Sequence, residues 1–378
     1  MLPARQFSAL RLADVLTSSL SSISGLPNAL GLGQTNKAVV VLADGLGISS
    51  LKARAGHARV LNSLLTKTSV IDGVFPSTTA AGITTLTTGV APGQHGLVGY
   101  RVRDADRDRV VNQLTGWDDG MRPETWQRAR TVFERATDAG LPSYAIGPRR
   151  YAESGFTQAA LRGARYVPAE SVSDRFTAAR HLLDTNPRAL VYLYVPELDV
   201  AAHAHGWESA RWLAALENLD GAAARFAAGL KGDEGLLVTA DHGIIDVPTT
   251  RHVLFDTVPE LVGGVRHIGG DPRCLHLYLE PGLGSEAAEA LADTWQVIEG
   301  HRAWVFRRDE AVASGLFGEV APEILPRLGD VIVAARKSIA YYDSRETNQS
   351  ARTMVGQHGS MTDEELRVPL IRSGAFSA

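Results

Sequence analysis

Six side chains of ligand type stand just after apolar runs of this 378-residue chain. Asp44 follows "KAVVVLA", Asp199 and His203 stand in "PELDVAAHAHG", Asp241 and His242 in "TADHG", and His358 in "GQHGS". Zinc accepts carboxylate and imidazole together at near-tetrahedral geometry. Two such cations about 3.5–4 Å apart clamp a phosphoryl group, activating a nucleophile and neutralising developing charge. A nucleophile is on offer in Phe75 to Gly89, "FPSTTAAGITTLTTG". This stretch opens like a helix N-terminus and then carries many threonines, which are mediocre helix formers. A helix starting near Thr78 or Thr79 presents free backbone N–H groups and a partial positive charge, a seat for a phosphate. A hydroxyl on its first turn faces the phosphorus. Ser77, Thr78 and Thr79 all qualify by chemistry, and spacing does not choose among them.

Each piece alone has an ordinary explanation. Asp-Gly after a strand is commonly a turn. Asp-His-Gly is more often a turn with a helix cap, and an Asp four residues before a His is a helix-surface pair. Ser77 or Thr78 could simply cap the helix, with the remaining threonines packed. Weight comes from the joint occurrence of these pieces, in order, at strand ends.

The elements that must position them have one grammar. "KAVVVLA" is apolar without alternation, as expected of a strand buried on both faces. "LPSYAIGP" follows the expected helix "TWQRARTVFERATDAG"; "RALVYLYVPELD" follows "SDRFTAARHLLDTN"; "EGLLVTADHG" follows "WESARWLAALENLDGAAARFAAGL". Strands alternating with helices predict an α/β fold, a mostly parallel sheet sandwiched by helices. Functional residues in such sheets gather at the carboxyl ends of the strands. Residues 1 to about 36 read as a helical lead-in and a Gly-rich loop. From about Val247 to Arg345 the pattern loosens into a smaller α+β segment, with "GDVIVAARKSIAYY" as a further strand or hairpin. The expected organisation is a catalytic core of residues 1–246 and 346–378, with 247–345 inserted as a lid or cap.

Bulk properties exclude several classes. The net charge of -4 argues against a nucleic-acid-binding surface. The lone cysteine, Cys274, rules out an internal disulfide framework and a Cys-rich zinc site. The N-terminal segment has no continuous apolar h-region, and no window approaches the roughly 18 apolar residues of a membrane helix. The expectation is a cytoplasmic protein with a small-molecule partner and no membrane association.

With "VVVLADGLG", "FPSTTAAGITTLTTGVAPGQHGLVGY", "YVPELDVAAHAHG", "TADHG" and "GQHGS" in this order, the chain resembles the alkaline phosphatase superfamily. Within it, the nucleotide pyrophosphatase/phosphodiesterase branch is the most similar. The matching pieces span about residues 38 to 360. The resemblance implies an alkaline-phosphatase-like core and two divalent metal ions, zinc or else manganese. It also implies hydrolysis of a phosphodiester or pyrophosphate through a phospho-threonine intermediate. The branch pattern Phe-Pro-Ser/Thr-x-Thr makes Thr79 the nucleophile. One cation would be held by Asp199, His203 and His358; the other by Asp44, Asp241 and His242, with Thr79 on its open position. His203 rather than His205 fits the pattern Asp-x-x-x-His-x-x-Gly ending at Gly206. An asparagine that holds a phosphate oxygen three residues after the nucleophile corresponds here to Gly82, which leaves that task to another group or points to a substrate other than a nucleotide. Tyr100 and Arg101 are candidate substrate contacts, as are Arg149 and Arg150 for a charged leaving group; all four are equally at home on a surface. Phosphomonoesterase and phosphonate hydrolase stand as alternatives, and a metal-stabilised binding protein without turnover as a third.

Overall fold

A computed structural model describes residues 10–377. The first nine residues of the expected lead-in lie outside them, and the lead-in helix runs Ala13–Ile23. The centre is a six-stranded sheet. Strands β1 (Lys37–Ala43), β2 (Ser143–Gly147), β3 (Arg165–Pro168), β4 (Ala189–Val195) and β5 (Glu234–Thr239) are parallel, in the spatial order β5-β1-β4-β2-β3. Every residue of β1 and β5 is buried, as unbroken apolar runs require of strands covered on both faces. One helix group packing on the sheet comprises Ala13–Ile23, Thr79–Thr88 and Val132–Asp138; another comprises Val172–Thr185 and Ala210–Ala228. The register brings the strand ends level, with Ala43 opposite Val195 and Leu42 opposite Thr239. Asp44, the helix that follows β4, and Asp241 therefore emerge at one edge.

A second sheet is antiparallel. It comprises β6 (Val265–Asp271), β7 (Cys274–Leu279), β8 (Ala303–Arg307) and β9 (Val331–Ala335), in the order β6-β7-β9-β8. Alternation divides β9 between two apolar clusters. Val331, Val333 and Ala335 face Trp295 and Leu291 of the helix Ser285–Glu299. Ile332 and Ala334 join Phe75, Ala80, Leu97 and Leu366 from the core. A fully buried Arg273–Glu365 pair at 2.7 Å fastens the two parts together. Strand β10 (Ile371–Gly374) then returns to the first sheet as its antiparallel edge beside β5. We propose residues 247–345 as the insertion because β6 to β9 all fall inside it. It forms a packed wall that shares a cluster with the core.

Two elements differ from the sequence reading. The helix expected from Thr125 is broken: Thr131 starts a new helix at Val132, and Glu134 reaches back to the Thr131 N–H in a capping box. "GDVIVAARKSIAYY" is not a hairpin, since Ala340–Tyr342 pairs in parallel with His252–Leu254.

Candidate active site

Half of the site stands directly on strand ends. Asp44 leaves β1 through a turn that needs Gly45, whose φ is +72° and whose added Cβ would lie 3.2 Å from Asp199. Asp241 and His242 leave the neighbouring β5. Asp44 Oδ1 lies 3.4 Å and Asp241 Oδ2 3.5 Å from His242 Nε2. Thr79 Oγ1 is 3.1 Å from the same nitrogen.

The other half stands on the helix Glu197–His205, which begins two residues after β4. Asp199 and His203, four residues apart, share one face of it. His203 Nε2 is 3.3 Å from Asp199 Oδ1 and 3.2 Å from His358 Nε2, and His358 Nε2 is 3.8 Å from Asp199 Oδ1. His205, at the exposed end of the helix, lies outside this triangle and lines a separate groove with Val200 and Arg211. The halves adjoin, with the His242 and His358 rings stacked at 3.7 Å.

All three imidazoles are turned the same way. His203 Nδ1 faces the Gly356 carbonyl at 2.8 Å, His242 Nδ1 the Gly243 carbonyl at 3.1 Å, and His358 Nδ1 the Ser77 carbonyl at 2.8 Å. A carbonyl can only accept, so each Nδ1 carries a proton, and in the neutral ring each Nε2 is left as the acceptor that faces inward. Asp44 Oδ1, Asp199 Oδ1 and Asp241 Oδ2 are buried without a hydrogen-bond partner. Ligand atoms around a tetrahedral zinc with bonds of about 2.0–2.1 Å are about 3.3 Å apart, close to most of the separations here. Donor type, tautomer and spacing all fit a divalent cation in each half.

Without a cation the arrangement is electrostatically unfavourable. Burial, then the Asp241 and Asp199 carboxylates, push Asp44 well above the ordinary carboxylate range. Burial also raises Asp241. Burial, followed by the neighbouring His242 and His358's other partner His203, holds His358 well below the usual imidazole range.

The helix Thr79–Thr88 accounts for its threonines. Thr78 is the N-cap, accepting from the Ala81 N–H at 3.3 Å, so Thr79 opens the first turn. Thr84, Thr87 and Thr88 donate back to carbonyls four residues earlier, and Thr85 contacts His95 Nε2 at 3.0 Å. Ser77 ties two loops together: its Oγ donates to the Ser360 carbonyl at 2.7 Å and accepts from the Gly359 N–H at 3.0 Å. Gly82 is the close approach between helix and strand end. A Cβ there would lie 2.6 Å from the Asp241 Cβ, so a glycine is needed for packing against Asp241, and Gly82 is not among the residues that line the cavity beside Thr79.

A cavity of about 600 Å³ opens beside Thr79, Asp44 and Asp199. Its lining is mainly apolar and aromatic, with Ile83, Leu114, Trp117, Phe156, Tyr151 and Tyr194 prominent, and Arg150 as its only cationic side chain among the described residues. Tyr100 and Arg101 are not among its lining residues. They line a separate depression with Asp271, where Arg101 pairs with Glu346 at 2.8 Å. The cause is the hairpin of Arg101–Asp104 and Arg109–Asn112, which packs on the second sheet through the Arg103 N–H and the Tyr278 hydroxyl. Arg149 is absent from the cavity lining too. The sequence reading missed Trp117, Phe156, Tyr151 and Tyr194. The alternating tyrosines of "VYLYV", five and seven residues before Asp199, were the available signal for one of them.

Residues 38–361 match the family described as type I phosphodiesterase / nucleotide pyrophosphatase. No curated protein matches the chain. Among solved structures, murine ectonucleotide pyrophosphatase/phosphodiesterase 5 is similar at a TM-score of 0.65 and 18% identity, over 89% of this chain and 88% of that one. An inactive variant of it in complex with AMP gives a TM-score of 0.67 and 19% identity, over 90% and 88%. Phosphonoacetate hydrolase from Sinorhizobium meliloti 1021, in complex with phosphonoformate, gives 0.66 and 18%, over 90% and 91%. At these identities the structural likeness establishes the mostly parallel α/β fold. No helix among the described residues is long and apolar enough to cross a membrane.

Proposed function

The chain belongs to the type I phosphodiesterase / nucleotide pyrophosphatase family, and we propose that it hydrolyses a small-molecule phosphodiester with Thr79 as nucleophile. The observation that carries this reading is the apolar cavity whose wall contains Thr79 together with Asp44 and Asp199. The volume and apolar lining of this cavity suit a bulky or planar organic arm carried on the phosphorus.

The family is metal-dependent, and this chain brings together two candidate ligand groups that share His242, Asp44 with Asp241 and Asp199 with His358; His203 Nε2, 3.3 Å from Asp199 Oδ1 and 3.2 Å from His358 Nε2, faces the second. Asp44, Asp241 and His242 would hold one cation and Asp199, His203 and His358 the other. Zinc is the best fit to this donor set, and manganese is also accepted. When bound, the cations supply charge neutralisation at the phosphoryl oxygens and lower the pKa of coordinated hydroxyl groups.

The chain's own residues do the rest. Thr78 caps the helix and so holds Thr79 at its first turn, where the helix N-terminus favours an anion. Thr79 Oγ attacks phosphorus, forming the Oγ–P bond as the bond to the leaving alcohol breaks; that alcohol departs with the threonine proton. Water then forms a bond to phosphorus, the P–Oγ bond breaks, and Thr79 regains its proton. The cavity seats the apolar arm and excludes water around it.

A phosphonate with a small carboxylate arm is the second reading, favoured by one observation: Arg150 in the cavity lining could receive that carboxylate. The test is turnover of bis-p-nitrophenyl phosphate, p-nitrophenyl phosphate and phosphonoacetate by metal-loaded wild type and Thr79→Ala. We expect preference for the diester and a loss of at least about 10³-fold in Thr79→Ala, with metal content unchanged. Undiminished turnover in Thr79→Ala removes the nucleophile assignment. A preference for phosphonoacetate replaces the diester reading with the second one.

A further inference from the structure

We propose that Tyr194 is a positioning residue that joins the apolar cavity to the strand-end half of the cation site. Its hydroxyl donates to Asp44 Oδ2 at 2.5 Å, which leaves Asp44 Oδ1 turned toward His242 without a partner. Its ring is part of the cavity wall. There it meets Tyr151 edge-on at 5.9 Å and stacks on Tyr192 at 6.5 Å, so its position is fixed by packing.

The other orienting contacts differ in kind. The three imidazoles are held by the carbonyls of Gly356, Gly243 and Ser77, and Asp241 Oδ1 accepts from the Gly45 and His242 N–H groups. Those are backbone groups, fixed by the fold. Asp44 is instead oriented by a side chain whose ring a cavity occupant would touch. A molecule seated there bears on the Tyr194 ring and, through its hydroxyl, on Asp44. Outer partners of this type set ligand orientation, and their removal typically weakens metal affinity by about 10–100-fold. Linkage is reciprocal, so a cavity ligand that changes cation affinity in the strand-end half has its own affinity changed by the same factor.

The inference rests on the reading of Asp44 as a cation ligand, and the experiment separates the two. Metal-free wild type, Asp44→Asn, Tyr194→Phe and Tyr194→Leu are titrated with Zn²⁺ against a chelator, resolving two affinities. Thermal melts of the metal-free proteins check folding, and KM for bis-p-nitrophenyl phosphate is measured alongside. Tyr194→Phe keeps the ring and loses the hydroxyl, so one of the two affinities falls about 10–100-fold. Tyr194→Leu gives the same loss of metal affinity and also raises KM. A tyrosine that only packs the wall would leave both affinities intact in Tyr194→Phe. That result, or equal weakening of both, overturns the inference. If Asp44→Asn itself leaves both affinities unchanged, the ligand reading fails first.

Discussion

The two halves of the proposed cation site offer the same donor chemistry on different foundations. Asp44, Asp241 and His242 stand at the ends of adjacent parallel strands, and their side chains are 2%, 0% and 0% exposed. Asp199, His203 and His358 are 13%, 21% and 9% exposed and come from a helix and a distant loop, with His203 and His358 separated by 155 positions. Sheet register fixes the first half, and β1 cannot shift without breaking its ladders to β4 and β5. The second half closes only when the loop around His358 docks on both Ser77 and the helix bearing Asp199. Thr79, the proposed nucleophile, adjoins the more deeply buried half through His242, where electrostatic effects are strongest. On the proposed function, preorganisation is thus concentrated where the bond to phosphorus would form, and access where the ligand side chains are more exposed.

Removing one ligand from each half breaks this comparison most directly. Asp44→Asn should release one of two bound zinc ions and lower diester turnover by about 10³-fold or more. His203→Ala should weaken the other ion with a smaller loss, about 10²-fold, because water can enter a half-exposed ligand position. Metal content and kcat of the two variants decide the matter. A larger loss in His203→Ala would place the decisive chemistry on the helix side instead.

The buried half also predicts a reversal of stability. In the folded, metal-free protein Asp44 has its pKa raised well above the ordinary 3.8. The folded state then holds this proton more tightly than the unfolded state does. Stability is lost as pH rises from about 3.8 through the folded pKa. Asn at this position removes that loss. Metal-free Asp44→Asn should therefore melt higher than metal-free wild type at pH 7–8, with the gap closing as pH falls toward 4. With zinc present the order inverts, since only wild type gains the full binding energy. Melting curves across pH, with zinc and with chelator, test both signs. Parallel curves for the two proteins would contradict the repulsive character of this half.

Much of this contrast was legible in the amino-acid sequence, because parallel strands write themselves as unbroken apolar runs and ligands follow at their ends. "KAVVVLADG" and "LLVTADHG" carry both signals in adjacent residues. The expected α/β core and the strand-end places of Asp44, Asp241 and His242 could be read without coordinates, whereas Asp199 and His203 stand on the helix after β4 and His358 in a loop. What stayed hidden depends on contacts between segments far apart in the chain. Tyr100 and Arg101 adjoin the helix of Thr79 in sequence, yet their hairpin packs on the second sheet and faces a different depression. Gly82 carries no sign of the Asp241 backbone lying against it. The cavity wall gathers Trp117, Tyr151, Phe156 and Tyr194 from three separate stretches that have no shared motif.

Ser77 sharpens the comparison, because it couples the nucleophile loop to the His358 loop. Its hydroxyl is fully buried and bonds both the Gly359 N–H and the Ser360 carbonyl. Ser77→Ala strands two buried backbone groups, at a penalty of about 1–3 kcal/mol in stability. The backbone contact from Ser77 to His358 Nδ1 survives, so the half-site loosens without collapsing. We expect about a ten-fold lower kcat and weaker zinc binding on the half that includes His358. Isothermal denaturation and zinc titration measure the two effects. A variant with wild-type stability would show that these hydrogen bonds are replaced by others on relaxation.

The smallest expected effect belongs to a residue outside both halves. Arg150 is the one cationic side chain on the cavity wall; its guanidinium lies over the Tyr151 ring at 4.8 Å and donates to the Tyr151 hydroxyl at 2.9 Å. It is exposed and has no part in holding either ligand group. Arg150→Gln keeps a hydrogen-bond donor and removes the charge. For bis-p-nitrophenyl phosphate, whose arms carry no ionised group, KM should change by less than about three-fold and kcat should hold. For a diester bearing a carboxylate on one arm, the same substitution should raise KM by about five- to ten-fold, the loss of one partly solvated ion pair of about 1 kcal/mol. Equal KM changes for both substrates would remove Arg150 from substrate selection. The two halves would then act on whatever arm the aromatic wall admits, with charge playing no part beyond the phosphate itself.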